Sequence, residues 1–217
     1  MPNWVYNTLS ITGDEQEVAR FKEQASKPYK TGWIDSHKPL GDQEMQVHEE
    51  PLSFWNFITP PAEHFLEYFE ANGFSNGRKT GDTPWNWYNW NIENWGVKWD
   101  AGEVSLNTDT PKALGYSFET PWGIPQPVFI AMCEQFPTLE FNFYSIEEQG
   151  WGAEQEGHGG QLTLTKEWDI PNSHAEHEQH DQTCRCEWDD DPNDWYDDCP
   201  DKEEAIKNYK QEEEGNK

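Results

Sequence analysis

Five side chains of metal-binding type crowd into 13 residues: His174, His177, His180, Cys184 and Cys186. Imidazole nitrogen and thiolate sulfur are ligands of tetrahedral zinc, so the cluster has the chemistry of a zinc site, with Cys199 as a further thiolate nearby. Its spacing, H-x2-H-x2-H-x3-C-x-C, fits no standard zinc module, and histidines interleaved with Glu and Gln equally suit a solvated tail. The expectation is no cofactor, with zinc as the alternative.

Other catalytic patterns fail in detail. His174-Ala175-Glu176 ahead of Cys184-Arg185-Cys186 has the order of the zinc-deaminase pattern, yet the cysteines are one residue apart and no proline precedes them. Asp189, Asp191 and Asn193 begin like a calcium loop, but Asp194 stands where glycine is needed and Pro200 where a bidentate Glu is needed. There is no nucleophile elbow, Walker loop or H-E-x-x-H, and Cys133 lies in an apolar helical stripe as a core thiol would. The residues point away from an enzyme; a metal-dependent hydrolase acting through the carboxylates is the remaining enzymatic alternative.

Aromatic residues offer binding chemistry instead. Trp95-Gly96-Val97-Lys98-Trp99, then Trp122, then Glu148 and Trp151 place indole faces around one lysine. They suit a small anionic or aromatic ligand, a nucleotide or metabolite, held between the rings and Lys98. The competing expectation is that Lys98 pairs with Glu148 while the rings fill a sheet–helix interface. A second group, Trp188, Asp189, Asp190, Asp191, Asp194, Trp195 and Tyr196, combines carboxylates with aromatic anchors for a partner protein.

The 217 residues carry 42 Asp plus Glu against 15 Lys plus Arg, a net charge of −27. Such a surface repels phosphate backbones and anionic membranes, so direct nucleic-acid binding is not expected. With no apolar run near the length of a membrane span and no export signal at Met1-Pro2-Asn3-Trp4, the chain is expected to be soluble and to stay where it is made, its four cysteines reduced. Thirteen Trp, 11 Phe and 8 Tyr compensate for scarce aliphatics, each burying roughly 150–250 Å².

The elements that must position these residues follow from periodicity. Val5, Leu9 and Ile11 alternate in a strand over residues 3–12, and Val18, Phe21 and Ala25 make the apolar stripe of a helix over 14–26. Residues 27–61 lack periodicity and read as an insertion packing locally through Trp33 and Phe54-Trp55-Phe57, followed by a short helix over 62–71. Thr83-Pro84 opens an aromatic helix with Trp85, Tyr88, Ile92 and Trp95 on its stripe, stopped by Gly96. A hairpin over 103–107 and 114–120, a helix over 125–136, a strand over 138–146 and a further strand or hairpin over 152–165 complete the pattern. The order predicts an α+β, ferredoxin-like antiparallel sheet with helices on one face and a long insertion at about 27–84 after the first helix. Residues 166–217 hold 18 acids and 6 bases, and read as an acidic, flexible C-terminal region.

Four segments, Met1-Pro2-Asn3-Trp4 with Asn7, Tyr88–Asp100 (YNWNIENWGVKWD), Phe118–Trp122 (FETPW) and Tyr144–Trp151 (YSIEEQGW), resemble the YubB ferredoxin-like family of bacteriophages and conjugative plasmids. The likeness covers residues 1–12 and about 85–165. It implies a ferredoxin-like domain, a mobile-element origin and residence in the cytoplasm of an infected bacterial host, with no established activity. Combined with the charge, the expected function is an accessory protein that binds a host protein with a basic surface. Inhibition of a defence system through a nucleic-acid-mimicking surface is the sharper form, and a small-molecule sequestering module is the alternative.

Overall fold

Alternation from Trp4 to Thr12 makes β1, and the structure, a computed structural model that describes residues 2–32, 45–59, 87–179 and 191–215, buries Val5, Leu9 and Ile11 on one face as the period predicts. The same alternation carries a polar residue, Asn7, inward. Asp14 caps α1 (Glu15–Ala25), its carboxylate accepting from the Gln16 N–H at 2.9 Å. Val18, Phe21 and Ala25 are the buried stripe.

The insertion departs from expectation. It forms a two-stranded sheet, β2 (Tyr29–Gly32) with β3 (Met45–His48), and a 3-10 turn at Phe54–Asn56. Rather than packing locally, it sends Leu52, Phe54 and Phe57 into the main core. Phe57 lies 5.3 Å from Phe21, and Phe54 lies 5.8 Å from Phe118. The chain leaves the end of α1 and returns beside it, with the Ser53 N–H donating to the Ala25 carbonyl at 3.2 Å. Trp33, the helix expected over 62–71, and Thr83, Pro84 and Trp85 lie outside the described residues.

The aromatic helix is present as α2 (Trp87–Trp95), and its buried face keeps Trp95 of the expected stripe but not Tyr88 or Ile92. Tyr88 and Ile92 are 43% and 41% exposed, whereas Asn91 and Trp95 are buried and Trp90 packs against the core. Apolar rings surround most of this helix, so periodicity alone does not select a face; Trp95 Nε1 donating to the Ile58 carbonyl at 2.9 Å and Asn91 Nδ2 donating to the Lys98 carbonyl at 2.8 Å do.

Then follow the hairpin β4 (Gly102–Thr110) and β5 (Ala113–Pro121), α3 (Gln126–Gln135), and the strands β6 (Glu140–Glu147), β7 (Gly152–His158) and β8 (Gln161–Trp168). The six strands run in the order β4-β5-β1-β6-β7-β8, with β1 antiparallel to both β5 and β6. Helices α1 and α3 cover one face through Phe21, Val128, Phe129 and Met132, while Thr8, Ser10 and Thr12 of β1 stay exposed on the other. This is the expected ferredoxin-like α+β fold, extended by β7 and β8 at one edge.

Two buried groups test the packing. Cys133 is buried and its Sγ lies where a Cβ on Gly157 would come within 2.4 Å, so the thiol fills space beside a glycine; burial pushes its pKa up to about 12, which fits a core thiol and not a nucleophile. Tyr116 is fully buried, and among the described residues its hydroxyl has no hydrogen-bond partner. Because nothing is lost with that oxygen, Tyr116→Phe is expected to leave stability unchanged or raise it by about 1 kcal/mol; urea unfolding showing a loss above that would contradict the assignment.

The chain divides into two compact units, Met1–Glu147 with Ala153–Lys166, and Glu148–Gly152 with Glu167–Lys217. In the second, α4 (His174–Glu178) and α5 (Lys202–Gly215) occupy part of the stretch read as flexible. Trp168 Nε1 donates to the Gly150 carbonyl at 2.9 Å, and the Asp198 carboxylate accepts from the backbone of His174 and Ala175 at 2.8 and 3.1 Å. Those donors hold its pKa below the usual range.

Candidate binding site

The segment after α2 turns on Gly96, whose φ of +80° suits glycine and where a Cβ would meet Pro127 Cδ at 2.9 Å. Beyond it, Val97 is buried, Lys98 is half-buried, Trp99 emerges at 39% exposure, and Asp100 turns back inward. The inward residues are anchored. The Asp100 carboxylate accepts from the Phe54 N–H at 2.7 Å, the Ala101 N–H at 2.8 Å, the Tyr29 hydroxyl at 2.9 Å and the Ser53 hydroxyl. Burial nevertheless outweighs these donors and raises its pKa above the ordinary aspartate value, and the same burial raises that of Tyr29.

Fixing Val97 and Asp100 leaves Lys98 and Trp99 projecting beside Trp122, which is 51% exposed at the end of β5. The Lys98 ammonium stands 4.3 Å above the Trp99 ring, 5.3 Å from Trp122 and 5.8 Å from Tyr88. Trp99 and Trp122 meet at 5.8 Å with their planes 37° apart, and Trp4 backs Trp99 at 6.2 Å. Among the described residues Lys98 makes no ion pair, and its ammonium faces three aromatic rings. Trp95 does not line this surface; it is buried among Phe54 and Trp90. Glu148 and Trp151 fall in the second unit.

Trp122 has a φ of +61°, rare for a bulky residue, while its N–H donates to the Asn3 carbonyl at 2.8 Å. The left-handed backbone costs about 1–2 kcal/mol, similar to what the exposed ring returns by contact. Trp122→Gly is therefore expected to keep stability within about 1 kcal/mol of the parent while removing half of the exposed indole surface; a larger loss in urea unfolding would show that the ring is held there for packing.

Thr120, two residues before Trp122, belongs to a buried polar network that periodicity did not single out. Asn7 Nδ2 donates to the Val5 carbonyl at 3.0 Å and Thr120 Oγ1 at 2.9 Å; Ser145 Oγ donates to Asn7 Oδ1 at 2.7 Å, and Thr120 Oγ1 to the Gly123 carbonyl at 2.8 Å. The signal was a polar residue at an inward position of β1. Asp100 and its donors from the insertion were likewise not singled out, because their partners are 46–71 residues away in sequence.

The other candidate residues are placed as follows. Tyr196 donates to the Pro171 carbonyl at 2.9 Å and lies 3.1 Å from His177 Nε2, so it anchors its own unit. Asp191 accepts from Asn193 at 2.9 and 2.7 Å, closing a local turn; the Trp195 carbonyl accepts from Lys202 at 2.6 Å, and Asp194 is exposed. His174 pairs with Glu178 at 3.3 Å. No group of three or more His, Cys, Asp or Glu among the described residues is placed to hold a metal. His180, Cys184, Cys186, Trp188, Asp189 and Asp190 lie outside those residues.

Comparison with known proteins bears on the later part of the first unit and the start of the second. Residues 94–187 match a family model described as a ferredoxin-like domain in Api92-like protein. The chain contains a ferredoxin-like domain. The match takes in Lys98, Trp99 and Trp122 but begins after Asn7, and it continues past residue 166, where the sequence pattern was expected to end. A solved structure, a protein api92 from Yersinia pseudotuberculosis, is similar with a TM-score of 0.45 and 11% identity, over 79% of this chain and 99% of that chain. No curated protein matches. Among the described residues no helix is long and apolar enough to cross a membrane.

Proposed function

We propose that this protein is a non-catalytic binding module that presents carboxylates and exposed tryptophans to a cationic partner protein. The observation that carries the reading is the exposed Trp99–Trp122 pair, already holding an ammonium, on a chain of net charge −27. Aromatic faces attract cations, and a strongly anionic body steers a basic surface onto them at rates that fall as salt rises. With the YubB likeness, the reading extends to an accessory protein of a phage or conjugative plasmid acting in the cytoplasm of the infected bacterium. There its carboxylates stand in for phosphates on a basic, nucleic-acid-handling host protein such as a defence enzyme.

Capture from bacterial lysate at low and at high salt, with duplex DNA as competitor, tests this. The expected result is a basic, nucleic-acid-binding protein recovered at low salt, released by DNA, and lost with Trp122→Gly. Recovery unaffected by salt and DNA would overturn it.

A cleft of about 620 Å³, lined by Lys27, Tyr29, Trp55 and Asn56 together with Glu23 and the Glu17-paired Arg20, supports a second reading, the sequestering of a small metabolite. Saturable binding of a nucleotide, abolished by Lys27→Glu, would support it over the first.

A further inference from the structure

We propose that Tyr88, Trp99 and Trp122 form a cage for an alkylammonium group, and that Lys98 is an internal occupant which the incoming group displaces. The inference rests on the proposed function only in taking the partner to be cationic; the cage itself is read from geometry. The Lys98 ammonium lies within 4.3, 5.3 and 5.8 Å of the three ring centroids, inside the roughly 6 Å over which a ring's negative face attracts a cation. The chain offers 42 carboxylate side chains, yet among the described residues this lysine pairs with none and lies on rings.

The rings suit a compact cation better than a flat ligand. Trp99 and Trp122 are inclined at 37°, so they converge as a wedge, whereas a planar ligand needs two parallel faces. An anion would meet the negative faces of the rings and the field of a −27 body, which favours a cation over the anionic form of the small anionic or aromatic ligand that was one alternative from the sequence.

The cage is also held in place before anything binds. Trp99 lies in sequence between buried Val97 and the four-fold anchored Asp100, its ring is in contact with that of Trp4, and the Trp122 backbone is tied to Asn3. Such preorganisation removes the ordering cost that a flexible aromatic cluster would bring to binding. Exchange of one ammonium for another conserves the cation–ring contacts, so the internal lysine lowers affinity without closing the site, and it keeps two exposed indoles from acting as an open apolar patch.

The test uses the full chain and tetramethylammonium chloride, with sodium chloride at matched ionic strength as control, followed by the indole N–H signals of Trp99 and Trp122 in proton–nitrogen correlation spectra. Saturable shifts confined to these indoles are expected, and Lys98→Ala, which removes only a half-buried surface chain, is expected to tighten binding about three- to tenfold. Absence of a saturable response in the Lys98→Ala protein, an equal response to sodium chloride, or weaker binding in that variant would overturn the cage. A lysine-containing peptide binding more tightly than choline assigns the ammonium to a protein; the reverse assigns it to a free amine. Salt-dependent capture of a basic protein without the indole response would sink the cage alone, and the indole response without such capture would sink the proposed partner alone.

Discussion

Asp100→Ala is expected to lower the unfolding free energy of the first unit by about 2–4 kcal/mol and to weaken whatever binds at Trp99, because one carboxylate holds the insertion and the tryptophan loop together. Four donors converge on it from Tyr29, Ser53, Phe54 and Ala101, and truncation leaves them facing a void. A buried donor that loses its acceptor costs about 1–3 kcal/mol, and partial relaxation of the hydroxyls sets the lower end of the range. The pH dependence has a definite sign. Burial raises the pKa in the folded state, so the stability this group contributes is complete below the ordinary aspartate value of about 3.9 and is lost as pH rises through the raised value. The difference in stability between parent and Asp100→Ala should thus narrow as pH rises through that window. Urea unfolding across a pH series checks both parts. A difference below about 1 kcal/mol, or one that widens with pH, would show that the loop is held by Val97 and Trp95 and not by Asp100.

Asn7→Asp should cost more, about 3–5 kcal/mol at neutral pH, although it changes one amide to a carboxylate of the same shape. Asn7 Nδ2 now donates to the Val5 carbonyl and to Thr120 Oγ1, while Oδ1 accepts from Ser145. A carboxylate keeps the Ser145 bond and turns the Val5 contact into oxygen facing oxygen in a buried site, where an ionised group with so few donors is strongly disfavoured. Its pKa should rise, so the lost stability returns as pH falls and the new group takes up a proton. Urea unfolding of parent and variant at neutral and mildly acidic pH measures this; equal stability at both would mean that water reaches Asn7 and the network is not a dry link between β1, β5 and β6.

That network explains why separate stretches of sequence belong together. Asn7, Thr120 and Ser145 lie more than 20 residues apart in three different strands or strand ends, and in space they are neighbours joined through one side chain. The first clue was already in the strand pattern, where Asn7 occupies an inward position between Val5 and Leu9. Its role was hidden because the partners are more than 100 residues away, at Thr120 and Ser145.

Local periodicity determined much about this protein. The strand at Trp4–Thr12, helix α1 with its Asp14 cap, the β4–β5 hairpin, helix α3 and strand β6 follow from repeats of two and about 3.6 residues, which record burial on one face irrespective of what does the burying. The order of those elements was enough to specify the ferredoxin-like sheet. Composition likewise determined the sign of the field, since net charge is a sum over residues.

Tertiary structure alone decided the rotation of α2, the joining of Phe54 and Phe57 to the main core, and the partner of Lys98. Each is a choice among alternatives of nearly equal local merit. An aromatic helix has several faces able to be buried, an insertion can pack on itself or on its neighbours, and a lysine among tryptophans and carboxylates can pair with either. Long-range contacts such as Trp95 to Ile58 and Asp100 to Phe54 settle those choices, because their energies depend on which distant groups arrive together and not on any spacing along the chain.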